Sequence, residues 1–169
     1  MELLIPGLAL VALMVYVSTR IKRRAAEAFA EERVETDEFA ITKPEGFIIP
    51  ANRDPSLAFA AYSKEFGFDE ADETRQVSAE LRTHFGDGLK AVLNTVTRDG
   101  RRIISEQRLV GKATILETEK VKEGVTLRSD HHLIDKNGTI FHLEVAALSA
   151  TKSEQQKNID TLLTSFEVK

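Results

Sequence analysis

The sequence predicts an α+β protein: an N-terminal single transmembrane helix with a helical extension, then an antiparallel β-meander packed with helices. Three observations carry that expectation. Leu3 to Val17 is an unbroken apolar run that ends against Arg20, Lys22, Arg23 and Arg24. From Arg101 onward, four strand-like runs are separated by glycine-bearing turns. The stretch "KSEQQKNIDTLLTSF" then places Ile159, Leu162, Leu163 and Phe166 on one helical face.

The opening segment reads as retained. A cleavable signal carries its positive charge before the apolar core, whereas here Glu2 precedes it and the basic cluster follows. An A-x-A match exists at Ala28-Phe29-Ala30, but cutting there places four basic residues in the normally neutral segment ahead of the cut. Leu3 to Ile21 amounts to about 19 residues, roughly 28 Å of helix, near the short end for a hydrocarbon core. Arg20, Lys22, Arg23 and Arg24 form the membrane flank, and the positive-inside rule puts the N-terminus outside and the body in the cytoplasm. The expected location is a cytoplasmic-type (inner) membrane. "RIKRRAAEAFAEERVE" is rich in helix formers, with Arg23 and Glu27 at i,i+4 spacing, so the helix is expected to continue to about Val34. The organisation is then residues 1–24 as anchor and basic flank, 25–38 as helical stalk and 39–169 as an α+β soluble domain.

Within that domain, Phe39 and Ile41 alternate, and Phe47–Ile49 is apolar between Gly46 and Pro50, which suits short strands. Asp54-Pro55 resembles an N-cap followed by proline at the first helical position, predicting a helix through "SLAFAAYSKEF". A polar helix is expected from Asp69 to Phe85. In "LKAVLNTVT", Leu89, Val92, Leu93 and Val96 have helical spacing while valine and threonine favour a strand; the spacing tips the reading to helix. "RRIISEQRLVG", "KATILETEKV", "GVTLRSDHHLI" and "TIFHLEVAALSA" form the meander, with the helices on one of its faces.

Composition excludes several functions. The net charge is −4, and residues 25–169 hold 19 basic and 26 acidic groups, which argues against a nucleic-acid footprint. The absence of cysteine removes disulfides, thiolate metal sites and thiol nucleophiles. Ser105, Ser129 and Ser149 sit in no G-x-S-x-G elbow, and there is no Walker loop, G-x-G-x-x-G or H-E-x-x-H. "FGDG" at residues 85–88 reads as a turn.

One constellation remains. His131, His132 and His142 lie in one hairpin, around the turn "DKNGT". A three-residue loop, Lys136-Asn137-Gly138, sets Leu133 beside Phe141 and Ser129 beside Val145 on an inward face. The other face then carries His132 beside His142 and Asp130 beside Glu144. Two imidazoles and two carboxylates suit a divalent cation such as zinc. Against this stands the ordinary polar outer face of an antiparallel sheet, where Arg128 relieves the Asp130–Glu144 repulsion, and a one-residue register change separates the histidines. A pH-responsive histidine pair is a third reading. Polar surface outweighs the others, so no metal, cofactor or catalytic residue is assigned.

"KNGTIFHLEVAALSATKSEQQKNIDTLLTSFEVK" resembles the end of PsbP-like α+β domains, which close with a strand, a helix and a Ser-Phe-x-Val-type tail, here Ser165-Phe166-Glu167-Val168. "KPEGFIIP" looks like that family's opening strand. The resemblance covers about 40 residues. It implies an extrinsic or lipid-anchored protein that assists a photosynthetic membrane complex, and it carries over no functional residue.

The expected function is a non-catalytic, single-pass membrane protein whose cytoplasmic domain is an accessory, docking or assembly subunit of a larger membrane complex, respiratory or photosynthetic. Its partners would be the lipid bilayer and that complex, with no nucleic acid. Two alternatives are a membrane-tethered small-ligand-binding module and a metal-dependent enzyme at the His132/His142 face.

Overall fold

In the computed structural model, residues 4–98, 101–108 and 113–169 are described, with the side chains of 4–10, 12 and 106–108 outside the description. Helix α1 (Leu4–Phe29) opens the chain, and the Arg23–Glu27 pair forms on it at 3.2 Å. Among the described residues, no helix is long and apolar enough to cross a membrane. This overturns the transmembrane helix, the single-pass anchor and the inner-membrane location with its N-out orientation; it also leaves Arg20, Lys22, Arg23 and Arg24 without the role of a membrane flank. The physical reason lies in length. The apolar part of α1 runs from Leu4 to Val17 and its remainder is polar or charged, with Arg20, Lys22, Arg23 and Arg24, so it offers about 21 Å of apolar helix against a core of about 30 Å. Ser18, Thr19 and Arg20 follow at once.

The helix also stops earlier than its composition suggests. Lys43 is fully buried, and its Nζ donates to the carbonyls of Ala28 (3.0 Å), Ala30 and Phe47 (3.1 Å). Those carbonyls at the helix end are otherwise orphaned, and an ammonium is the partner that suits them. Gly46 N–H adds a bond to Phe29 O at 2.8 Å, and Lys64 lies over the Phe29 ring. Residues 32–35, expected to be stalk, instead form strand β1 (Glu32–Glu35).

β1 pairs with β2 (Phe39–Lys43), which also receives the C-terminal β10 (Glu167–Val168), giving a small antiparallel sheet. The main sheet contains β3 (Phe47–Ile48), β4 (Leu57–Ser63), β5 (Val77–Phe85), β6 (Arg102–Arg108), β7 (Ala113–Lys122), β8 (Val125–Lys136) and β9 (Thr139–Leu148). Its described order is β3-β4-β5-β9-β8-β7-β6, antiparallel throughout. The four-strand meander expected after Arg101 is present as β6 to β9.

Two expected helices are strands. β4 occupies "SLAFAAYS": Asp54 accepts from Ser56 N–H at 2.8 Å in a turn rather than starting a helix, and Phe59 and Ala61 point into the core. Alanine favours a helix locally, but burial between neighbouring strands overrides that preference. β5 replaces most of the polar helix expected over 69–85, of which only a 3-10 turn at Asp69–Ala71 is helical. Its Val77, Ala79 and Leu81 alternate with Ser78, Glu80 and Arg82, a period of two.

Helix α2 (Leu89–Arg98) follows the turn at Phe85–Gly88, and α3 (Gln156–Ser165) follows β9. The helices cover opposite faces of the sheet, not one. α3 puts Ile159 and Leu162 on Leu143, Val145 and the inward residues of β4 and β5, which is the main core. α2 puts Val92 on Leu133 and Ile140, which point the other way. The polar side chains of β5, β8 and β9 beneath α2 make the candidate site.

Candidate functional site

The β8–β9 hairpin turns on two residues, not three. Lys136 pairs with Thr139, and Asn137 (φ 53°) and Gly138 (φ 80°) form the loop. Both central residues have positive φ, which is the demand of a type I′ turn and the reason Asn-Gly serves there. Shortening the loop by one residue flips one strand's side chains relative to the other. Leu133 therefore faces His142, His132 faces Leu143, His131 faces Glu144 and Asp130 faces Val145.

The residues proposed from the sequence are thereby separated. His132 lies on the α3 side, its ring edge-on to Phe166 with centroids 5.7 Å apart. Burial holds its pKa below the usual histidine value. Asp130 is on the same side, where Lys152 Nζ reaches both Asp130 Oδ2 and Glu117 Oε1 at 2.8 Å. Burial pulls the Lys152 pKa down, but hydrogen bonds and charge from the two carboxylates outweigh it and hold it above normal. Arg128 pairs with Glu119 at 3.2 Å and does not relieve an Asp130–Glu144 contact. Only His142 and Glu144 of the four candidates stay together, beneath α2.

His131 joins them there. Its Nδ1 lies 2.9 Å from His142 Nε2, and its Nε2 lies 2.9 Å from Thr118 Oγ1. His131 has no exposed surface and His142 is 5% exposed. Burial pushes the His131 pKa down to about 4, despite the nearby Glu144 charge. Burial, helped by repulsion from His131, pushes that of His142 to about 3. Both rings are neutral near pH 7. Glu144 is pushed up by burial, but the charge that His131 takes up in acid, the Arg101 guanidinium and the Arg101 hydrogen bond outweigh that and hold it below the usual carboxylate value. Arg101 Nη1 donates to Glu144 Oε1 at 2.6 Å, and Arg82 Nη1 is 3.9 Å from Glu144 Oε2. Arg82 is also held by Glu80 at 2.5 Å.

A cavity of about 220 Å³ opens on this network. Arg82, His84, Arg101, His142 and Glu144 give it a polar wall, and Val92 and Val96 of α2 close it from above. His84 Nε2 is buried there with no hydrogen-bond partner among the described residues, while its Nδ1 faces Asp87 Oδ2 at 3.8 Å. Sequence reasoning missed His131, Arg101, Arg82, His84 and Thr118. The alternation in "VSAELRTHF" could have revealed Glu80, Arg82 and His84 as one face of a strand, and the Asn-Gly pair could have set the register.

No protein-family model matches the chain, and no curated protein matches it in sequence. Solved structures do match in fold. The solution structure of cyanobacterial PsbP (CyanoP) from Synechocystis sp. PCC 6803 aligns over 83% of this chain and 94% of its own, with a TM-score of 0.55 and 12% identity. The Ran-binding protein Mog1p of Saccharomyces cerevisiae aligns over 83% and 96%, with a TM-score of 0.57 and 14% identity. LpqN of Mycobacterium tuberculosis, described as involved in cell envelope biogenesis, aligns over 82% and 90%, with a TM-score of 0.52 and 14% identity. The PsbP-like resemblance of the C-terminal strand, helix and tail thus holds for the architecture as a whole, and at these identities the likeness establishes the fold alone.

Proposed function

We propose that this chain is a non-catalytic accessory domain that acts as a docking or assembly subunit by holding a protein partner. The observation that carries the reading is α1. Val11, Leu13, Met14, Val15, Tyr16 and Val17 are between 45% and 64% exposed, while Lys43 ties the far end of the same helix to the domain. A contiguous apolar helical surface is a common mark of a binding face. A fold shared with a protein described as Ran-binding supports the reading. Purification of the full chain under native conditions, followed by mass spectrometry, tests it. One stoichiometric partner is expected, lost when Leu13, Val15 and Val17 are changed to serine while the domain's circular dichroism is retained. A protein that migrates alone contradicts it.

A second reading, a small-ligand-binding module, is favoured by the cavity beneath α2, whose polar groups converge from β5, β9 and Arg101. The metal-dependent enzyme at the His132/His142 face has no such support, because those rings lie on opposite faces of the sheet.

A further inference from the structure

The polar cluster under α2 has a donor set that the partner-binding reading does not use. We propose that His131, His142 and Glu144 form a site for one divalent transition-metal ion of the zinc class. This inference stands independently of the docking role.

One ligand atom from each residue lies within 4.8 Å of the others. The two imidazole nitrogens that face each other are 2.9 Å apart. Zinc–nitrogen bonds of about 2.0–2.1 Å at a tetrahedral angle place two ligand nitrogens about 3.3 Å apart, so the rings need to part by only about 0.4 Å. Two imidazoles and a carboxylate are a donor set that this metal class accepts.

Thr118 Oγ1 lies 2.9 Å and Arg101 Nη1 3.5 Å from His131 Nε2; in the tautomer whose Nε2–H donates to Thr118, the lone pair of His131 Nδ1 faces His142. A ligating histidine is characteristically fixed in this way through its other nitrogen. In the metal-free protein, His142 Nε2–H then donates to His131 Nδ1; on binding, that proton relocates to His142 Nδ1 and the freed Nε2 lone pair takes the cation. No net proton is lost. Arg101 holds Glu144 Oε1 at 2.6 Å, and Arg82 Nη1 stands 3.9 Å from Oε2, beyond hydrogen-bond distance, so Oε2 is the oxygen open to the metal. The cavity beside His142 and Glu144 supplies room for water or a small ligand at the remaining position. Three protein ligands and an open position distinguish exchangeable zinc sites from closed structural ones.

Arg101 makes the idea sharply testable, because its guanidinium competes with the cation for Glu144. The full chain is stripped with chelator and titrated calorimetrically with zinc alone, and the optical spectrum is followed on adding cobalt(II). One ion per chain at micromolar affinity or tighter is expected, with a cobalt spectrum of low coordination number. His142→Gln and Glu144→Gln weaken binding on the order of 100-fold, and Thr118→Val about 10-fold. Arg101→Gln tightens it, and His132→Gln on the opposite face leaves it unchanged. Should His142→Gln fail to fold, nitrogen-15 imidazole spectra of the wild type replace it: zinc must shift His131 Nδ1 and His142 Nε2. No heat at micromolar zinc, binding indifferent to Glu144→Gln and Arg101→Gln, or shifts confined to His84 and His132 each overturn the proposal.

Discussion

His131 and His142 are uncharged because burial strips water from rings that would otherwise titrate near pH 6.5, and that has a consequence for stability. Their folded pKa values are depressed to about 4 and about 3. A group with a depressed folded pKa takes up protons in the unfolded chain first, so its contribution is complete above about pH 6.5 and is lost as pH falls toward the folded values. Glu144, Arg101, Arg82 and His84 are the charged and titratable groups facing the pair from β9, β5 and the residue before β6, and α2 presents Val92, Thr95 and Val96. Glu144 opposes the trend and the arginines reinforce it. In chelator, the urea midpoint is therefore expected to hold between pH 8 and 7 and to fall steadily from about pH 6.5 to 4. Replacing His142 with glutamine should flatten that slope; an unchanged slope would mean that other groups carry it.

Among the elements, α1 shows how one side chain sets a boundary. Helix formers continue past Phe29, yet Lys43 captures the carbonyls of Ala28 and Ala30 and turns the chain into β1. Lys43→Met removes a charged donor and leaves the part-buried carbonyls of Ala28 and Ala30 and the buried carbonyl of Phe47 without it, a loss of about 3 kcal/mol. Urea unfolding measures the loss, and hydrogen exchange should rise at residues 28–30 and 46–47 first. The same reasoning explains which elements were legible. The meander, α2 and α3 were readable because their apolar spacing and their own burial agree. "SLAFAAYS" was not, since its alanines and Asp54-Pro55 favour a helix locally while pairing with β3 and β5 decides the outcome. β5 was obscured because its polar half faces the cavity under α2, so a sheet face resembles the exposed side of a helix. His142 and Glu144 share a face in either register, whereas a single residue of loop length decides whether His132 and Asp130 or His131 joins them.

For the whole molecule, that residue of loop length decides what each face of the sheet carries. The Asn137-Gly138 turn directs His132 toward Phe166 and the α3 core, and directs His131, His142 and Glu144 toward α2 and the cavity. It also leaves α3 and β10 free to complete the PsbP-like and Mog1p-like architecture on the far side. The docking reading concerns α1, the metal site concerns the α2 face, and both presuppose this arrangement. Cross-strand backbone NOEs in the β8–β9 hairpin test it most directly. The two-residue turn predicts cross-peaks linking Leu133 to His142 and His131 to Glu144. Cross-peaks linking His132 to His142 and Asp130 to Glu144 would contradict it.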